Sequence, residues 1–133
     1  MNFNKDFFKN ILPKRPKNSH KGTFGHVLNI AGSEFYTGAA YFSSISALKV
    51  GCGLITLAST ETVLKTVSML SPDIILTPIT KLLSNKGAPL AQNFQAVSIG
   101  CGLSQGVNAV KIFKNAMKIL SKSEIPVIID ADG

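Results

Sequence analysis

The sequence predicts an α/β fold, a mostly parallel sheet with helices on both faces. Short apolar runs of strand length alternate with stretches of helical periodicity, the pattern of successive βαβ units. Two strand-like runs end in glycine turns and lead into helical sequence, Val27-Leu28-Asn29-Ile30-Ala31-Gly32-Ser33 and Ala96-Val97-Ser98-Ile99-Gly100-Cys101-Gly102. A third run, Val127-Ile128-Ile129, delivers Asp130 and Asp132 just before Gly133. The crossovers between parallel strands should be right-handed.

Each element has its own signal. Phe3, Phe7, Phe8, Ile11 and Leu12 recur near a period of about 3.6 and predict a short amphipathic helix. Pro13 and Pro16 end it, and a basic loop runs through Gly22. Phe24 to Ala31 reads as a buried strand and Gly32 to Tyr36 as a loop. Thr37 is a good N-cap for a helix to about Val50, with Ala39, Ala40, Ile45, Ala47 and Leu48 as its packed face. Gly51 and Gly53 end that helix, and Leu54 to Ala58 is a second strand. Ser59 or Thr60 caps the next helix, which runs through Leu70 with Val63, Val67 and Leu70 inward. After Pro72 the run Ile74 to Thr77 is strand-like, and Ser84 to Pro89 is a loop. Ala96 to Ile99 forms a short strand, and Ser104 caps a helix to about Leu120. Val107, Val110, Ala116, Met117 and Leu120 are its apolar positions, and Pro126 leads into the last strand, Val127 to Ile129. No repeat, linker or low-complexity segment marks a boundary. The expectation is one partial domain over 1–133, with 1–23 as its N-terminal helix and basic loop.

Composition narrows the function. With 45% hydrophobic and only 16% charged residues, the chain has the means to build a core and is not of a disordered type. No apolar run approaches the ~18–20 residues of a membrane helix, and no signal peptide opens the chain. The two cysteines, Cys52 and Cys101, lack metal or redox spacing and read as free thiols in a reducing cytosol. The net charge is +7, with basic residues crowded between Lys5 and Lys21 and again at Lys111, Lys114, Lys118 and Lys122. The second group has helical spacing and reads as a solvated face or as an attractor of anionic nucleotides. Zinc spacing, RNP-like aromatics and a helix-turn-helix are all lacking, so nucleic acid is not the expected partner.

In an open parallel sheet, ligands bind beyond the carboxyl ends of the strands. Gly38 and the amides of Ala39 and Ala40 fall at a helix start, where exposed N–H groups and the helix dipole favour an anion. The same small residues also suit tight helix–strand packing. Gly100-Cys101-Gly102 has the same logic and the same alternative, an ordinary βα turn. It lacks the full GxGxxG spacing of a dinucleotide fingerprint, and no P-loop occurs anywhere. Asp130 and Asp132 would alternate to one side of an extended chain, there to bind a metal or orient a hydroxyl, or else to cap a turn. His26 at a strand start reads as structural; His20, in the basic loop, has a phosphate contact as its functional alternative. No catalytic triad is suggested by the order of residues.

These motifs together resemble the ADP- or ATP-dependent NAD(P)H-hydrate dehydratases. The resemblance rests on Ser19-His20-Lys21-Gly22-Thr23-Phe24-Gly25-His26-Val27-Leu28, Ala31-Gly32-Ser33, Tyr36-Thr37-Gly38-Ala39-Ala40 and Gly51-Cys52-Gly53-Leu54-Ile55-Thr56-Leu57-Ala58. It continues in Gly100-Cys101-Gly102-Leu103 and Pro126-Val127-Ile128-Ile129-Asp130-Ala131-Asp132-Gly133, and so covers nearly the whole chain. It implies a ribokinase-like fold and a lyase that restores NADH or NADPH from its hydrate (NADHX or NADPHX), coupled to cleavage of ADP or ATP, with Mg2+ as the expected metal. The family's hydrate-contacting alanine falls on Ala39 or Ala40. Its second-turn glycine falls on Gly102, with Gly100 shaping the loop, and Asp130 and Asp132 match its acidic strand end. No metal ligand is implied among these residues. The family's Gly-x-Gly-Asp base does not occur in these 133 residues, so no catalytic residue can be carried over. The expectation is therefore the N-terminal part of such an enzyme, inactive alone. Its expected partners are small-molecule nucleotides and the missing C-terminal half as a separate chain, with a homo-oligomer as a further option, unless it is a non-catalytic remnant. A small-molecule kinase of the same superfold is the competing enzyme class.

Overall fold

The computed structural model describes residue 9 and residues 14–84 and 93–133. The N-terminal helix expected from Phe3 to Leu12 and most of the loop expected over 84–89 lie outside the described residues. The strands are β1 (His26–Ile30), β2 (Leu54–Ser59), β3 (Ile75–Pro78), β4 (Ala96–Ile99) and β5 (Val127–Ile129). The helices are α1 (Thr37–Val50), α2 (Glu61–Leu70), α3 (Ile79–Ser84) and α4 (Val107–Leu120). The five strands form one sheet in the order β3-β2-β1-β4-β5, and every pair is parallel.

The chain winds outward from β1 twice, first through β2 to β3 and then through β4 to β5. The two windings put helices on opposite faces, as right-handed crossovers require. On one face Ala40, Val63, Leu64 and Val67 of α1 and α2 pack on Ile55 and Leu57. On the other, Ile79 and Leu82 of α3 and Ala109, Ala116 and Leu120 of α4 pack on Leu28, Ile30, Val97 and Ile99. Lys111, Lys114 and Lys118 are exposed on the outer side of α4, a solvated face, and Lys122 is exposed in the turn that follows it.

Where the structure departs from the predicted elements, a local contact explains it. The first strand was expected from Phe24, but Lys21–Phe24 forms a 3₁₀ turn, and pairing begins at His26. α1 starts one residue earlier than a Thr37 cap implies, because the Ser33–Tyr36 turn (Tyr36 N–H to the Ser33 carbonyl, 3.1 Å) makes Tyr36 the cap. Ser59 does not cap α2. It ends β2 and donates its hydroxyl to the Ala31 carbonyl at 2.6 Å, leaving Thr60 as the N-cap. Ser104 does not cap α4 either; it has φ 66° inside the preceding turn, and the helix begins at Val107 after Gly106. The six-residue α3 is too short to announce itself by periodicity.

His26 is structural, as its position suggested. Its Nε2 lies 2.8 Å from Thr56 Oγ1, and its ring meets Phe94 edge-on at 4.7 Å. Burial holds the imidazole pKa below its ordinary value. The folded state therefore prefers neutral His26. Its contribution to stability is present above the unfolded value of about 6.5 and is lost as pH falls through the lower folded value. A pH series of melting temperatures should show this loss in the wild type and a weaker one in His26→Gln.

Candidate functional site

The strand order reverses between β1 and β4, and an open α/β sheet places its ligand crevice at such a switch point, outside the carboxyl ends of the strands. Three strand ends are laced together there by main-chain bonds. Gly100 N–H donates to the Ile30 carbonyl at 3.2 Å, Gly32 N–H to the Cys101 carbonyl at 2.9 Å, and Asp130 N–H to the Ile99 carbonyl at 3.1 Å. The β1, β4 and β5 ends thus form one continuous rim.

Two glycines let this rim close. Gly100 has φ 126°, and a Cβ there would overlap the Asp130 carbonyl oxygen. Gly102 has φ 68°, and its Cβ would stand 2.7 Å from the Ala39 Cβ and 2.8 Å from that of Tyr36. Positive φ is a conformation that L side chains seldom adopt. Gly102 therefore brings the β4–α4 turn against the first turn of α1. Of the two candidate alanines, Ala39 is half-buried beside Gly102, whereas Ala40 is fully buried in the core. A Cβ on Gly32 would lie 2.8 Å from that of Ala40, so the Ala40 side chain packs against the sheet and presents no surface.

The two aspartates do not alternate along an extended strand. The strand stops at Ile129, and Ala131 takes φ 51° in a turn closed by Gly133 N–H to the Asp130 carbonyl at 3.1 Å. The carboxylates consequently serve different partners in the Gly100–Ser104 turn. Asp130 Oδ2 accepts from the Cys101 thiol at 3.4 Å, and Asp132 Oδ2 accepts from Ser104 N–H at 3.0 Å. Asp130 remains exposed at the rim, while Asp132 is partly buried and braces the turn. Among the described residues no three His, Cys, Asp or Glu side chains gather as a metal cage.

Burial, followed by the Asp130 hydrogen bond and charge, raises the Cys101 thiol pKa above its ordinary value. Asp130→Asn should remove the charge contribution and lower that pKa. Alkylation of Cys101 by iodoacetamide near neutral pH should then run severalfold faster, as read by peptide mass spectrometry. An unchanged rate would mean that the carboxylate does not act on the thiol. Both cysteines are free thiols, as expected.

Beside the rim a cavity of ≈320 Å³ is lined by Ser33, Glu34, Thr60, Ser104 and Val107, among others. Sequence reasoning did not assign Ser33 and Thr60 to a site. Their hydroxyl oxygens are buried without a hydrogen-bond partner. The available signal was their position, each following the end of a parallel strand. His20 and His26 lie at the opposite, amino end of the strands, before and at the start of β1, so neither belongs to this rim.

The NAD(P)H-hydrate dehydratase family profile matches residues 27–133, from the first strand through the aspartate turn. The chain belongs to this family. The family's relatives include an ATP-dependent (S)-NAD(P)H-hydrate dehydratase of Drosophila melanogaster, 35% identical over 95% of this chain but 43% of its own length. A bifunctional NAD(P)H-hydrate repair enzyme of Methanothermobacter thermautotrophicus is 31% identical over 92% of this chain and 24% of its own length. Among solved structures, the Bacillus subtilis ADP/ATP-dependent NAD(P)H-hydrate dehydratase co-crystallised with ATP and Mg2+ superposes with a TM-score of 0.78 at 28% identity, over 96% of this chain and 44% of that one. A ribokinase-like protein of Enterococcus faecalis shares the fold, with a TM-score of 0.76 at 23% identity. The chain thus spans less than half the length of the three NAD(P)H-hydrate relatives named, and its sheet has the ribokinase-like architecture.

Proposed function

We propose that this chain supplies the hydrate-binding rim of an ADP- or ATP-dependent NAD(P)H-hydrate dehydratase, a lyase that returns hydrated NADH or NADPH to the reduced cofactor. The observation that carries the reading is the joining of the family-matched turns at one place, with Gly102 against Ala39 and Tyr36, and Asp130 on the same rim. Ala39, Gly102 and the exposed face of Tyr36 would contact the hydrate. Gly100 and Asp132 would hold the turn in shape, and Ala40 would act only through packing. Asp130, with its exposed carboxylate, would orient a hydroxyl or a hydrated cation.

The nucleotide and Mg2+ fit this rim only in part. Mg2+ is commonly held by one or two carboxylates together with substrate phosphates, and Asp130 offers one such carboxylate. When bound, ATP or ADP with its metal would supply the phosphoryl group that turns the hydrate hydroxyl into a leaving group. The chain's own residues would position the hydrate, and the base and the phosphate cradle would come from the rest of the domain. That remainder, in the same chain or another, is the proposed partner. Cytosolic placement is supported by the free cysteines and by the nature of the substrate. Among the described residues, no helix is long and apolar enough to cross a membrane.

Isothermal titration tests the binding half of the proposal. The chain should release or absorb heat with hydrated NADH, and Gly102→Val, which fills the space beside Ala39, should abolish it. Absence of heat with hydrated NADH and with ADP, from a chain folded by circular dichroism, would reduce the relationship to ancestry.

A further inference from the structure

Another cavity opens at the other end of the sheet, away from the rim. Its volume is ≈560 Å³, and Lys21, Ile45, Leu48, Lys49, Leu54 and Asp73 are among the residues that line it. Leu54 opens β2, so the cavity lies at the amino ends of the strands, whereas the rim lies beyond their carboxyl ends. The volume falls within the range of about 300–1,000 Å³ common for small-molecule sites.

The lining is divided by chemistry. Ile45, Leu48 and Leu54 are half-buried and form an apolar wall. Lys21 and Lys49 supply two ammonium groups, and Asp73 supplies one carboxylate. Neither lysine has an ion-pair partner among the described residues.

Both lysines stand on fixed backbone. Lys21 opens the 3₁₀ turn Lys21–Phe24, which is fastened to the start of β2. Gly53 N–H donates to the Phe24 carbonyl at 3.1 Å, and Leu54 N–H to the Gly25 carbonyl at 3.1 Å. This approach needs glycine at position 53, since a Cβ there would overlap the Lys21 carbonyl oxygen. Lys49 lies in the last turn of α1, where the carbonyl of the Gly51 cap accepts from the Arg15 guanidinium at 2.7 Å. A lysine in a last helical turn complements the helix dipole, which accounts for Lys49 but not for Lys21, outside any α-helix.

We infer that this cavity binds a small organic phosphate of mononucleotide size. Two ammonium groups lining one cavity suit a dianion, and lysine binds phosphate as a point charge. The phosphate sits between Lys21 and Lys49. A flat or apolar body lies on Ile45, Leu48 and Leu54, and a hydrogen-bond donor at the far end meets Asp73. Inorganic phosphate would forgo the apolar wall, and an uncharged nucleoside would forgo the lysines. The site is separate from the rim and does not depend on the dehydratase reading.

Binding to the chain itself tests the inference. Adenosine monophosphate, adenosine and inorganic phosphate are the probes, titrated into isotope-labelled chain and followed through its backbone amide resonances. The monophosphate should shift the Gly53 and Leu54 amides saturably and leave those of Gly100 and Gly102 in place. Adenosine and inorganic phosphate should each bind at least about fivefold more weakly. Lys21→Gln and Lys49→Gln, both at exposed positions, should each weaken binding about three- to fivefold, and the double variant about tenfold or more. Added salt should weaken it further by screening. Any of four results overturns the inference: no saturable shift with the monophosphate, shifts confined to the rim, equal affinity for adenosine or for inorganic phosphate, or unchanged affinity in the double variant.

Discussion

Gly100→Ala is expected to lower the melting temperature by about 10 °C or more and to loosen the rim. The backbone at this position has φ 126°, and the added methyl would overlap the Asp130 carbonyl and stand 2.9 Å from the Gly133 nitrogen. A side chain held in such a conformation costs about 1–3 kcal/mol before any overlap is relieved. Relief requires the β5 end to move, which also breaks the bond from Asp130 N–H to the Ile99 carbonyl. About 3 kcal/mol in a domain of this size corresponds to roughly 10 °C. Gly38→Ala is the contrast, because nothing lies within 4 Å of the added methyl and the position is inside a helix. That change should be neutral or stabilising by up to about 1 kcal/mol. Thermal melts of the two variants, followed by circular dichroism, distinguish a strained turn from a general sensitivity to added methyls.

Ile30→Ala should cost about 2–5 kcal/mol, the range for removing most of a fully buried aliphatic side chain. Ile30 is fully buried at the end of the central strand, in register with Ala58 on one side and Ile99 on the other. Its carbonyl also receives the Gly100 amide, so the loss falls on the strand end that carries the rim. Total stabilities of small domains are about 5–15 kcal/mol, so this single change can unfold much of the population. Urea unfolding should show a lower midpoint with little change in slope. A shift below about 1 kcal/mol would mean that the centre of the sheet repacks far more freely than its closure suggests.

Much of the architecture was legible because long-period signals dominate it. The alternation of apolar strands with helical stretches gave the parallel sheet, and β4 and β5 fall where the apolar runs placed them. Capping was read less well. Thr37, Ser59 and Ser104 are all good cap residues by type, yet Ser59 is held in a strand contact, Ser104 in the preceding turn, and Thr37 is the first helical residue behind a Tyr36 cap. Such contacts join residues far apart in sequence, as Ser59 does with Ala31, and local propensity cannot register them. The site shows the same division. Gly100, Gly102 and Ala39 were visible as a motif, but their closeness depends on the β1–β4 pairing. The separate roles of Asp130 and Asp132 depend on the turn at Ala131, which strand alternation does not anticipate. Ala40 illustrates the limit of motif reading: next to Ala39 in sequence, it faces the core.

The kinase alternative and the dehydratase share this sheet, so only chemistry separates them. The decisive measurement joins the chain to the remaining segment of a family domain and supplies hydrated NADH, ATP or ADP, and Mg2+. The near-ultraviolet absorbance of reduced nicotinamide is then followed. The account predicts that absorbance returns with the joined protein, stays flat with the chain alone, and is lost with Gly102→Val. A joined, folded protein that leaves the hydrate untouched while phosphorylating a small alcohol would contradict it.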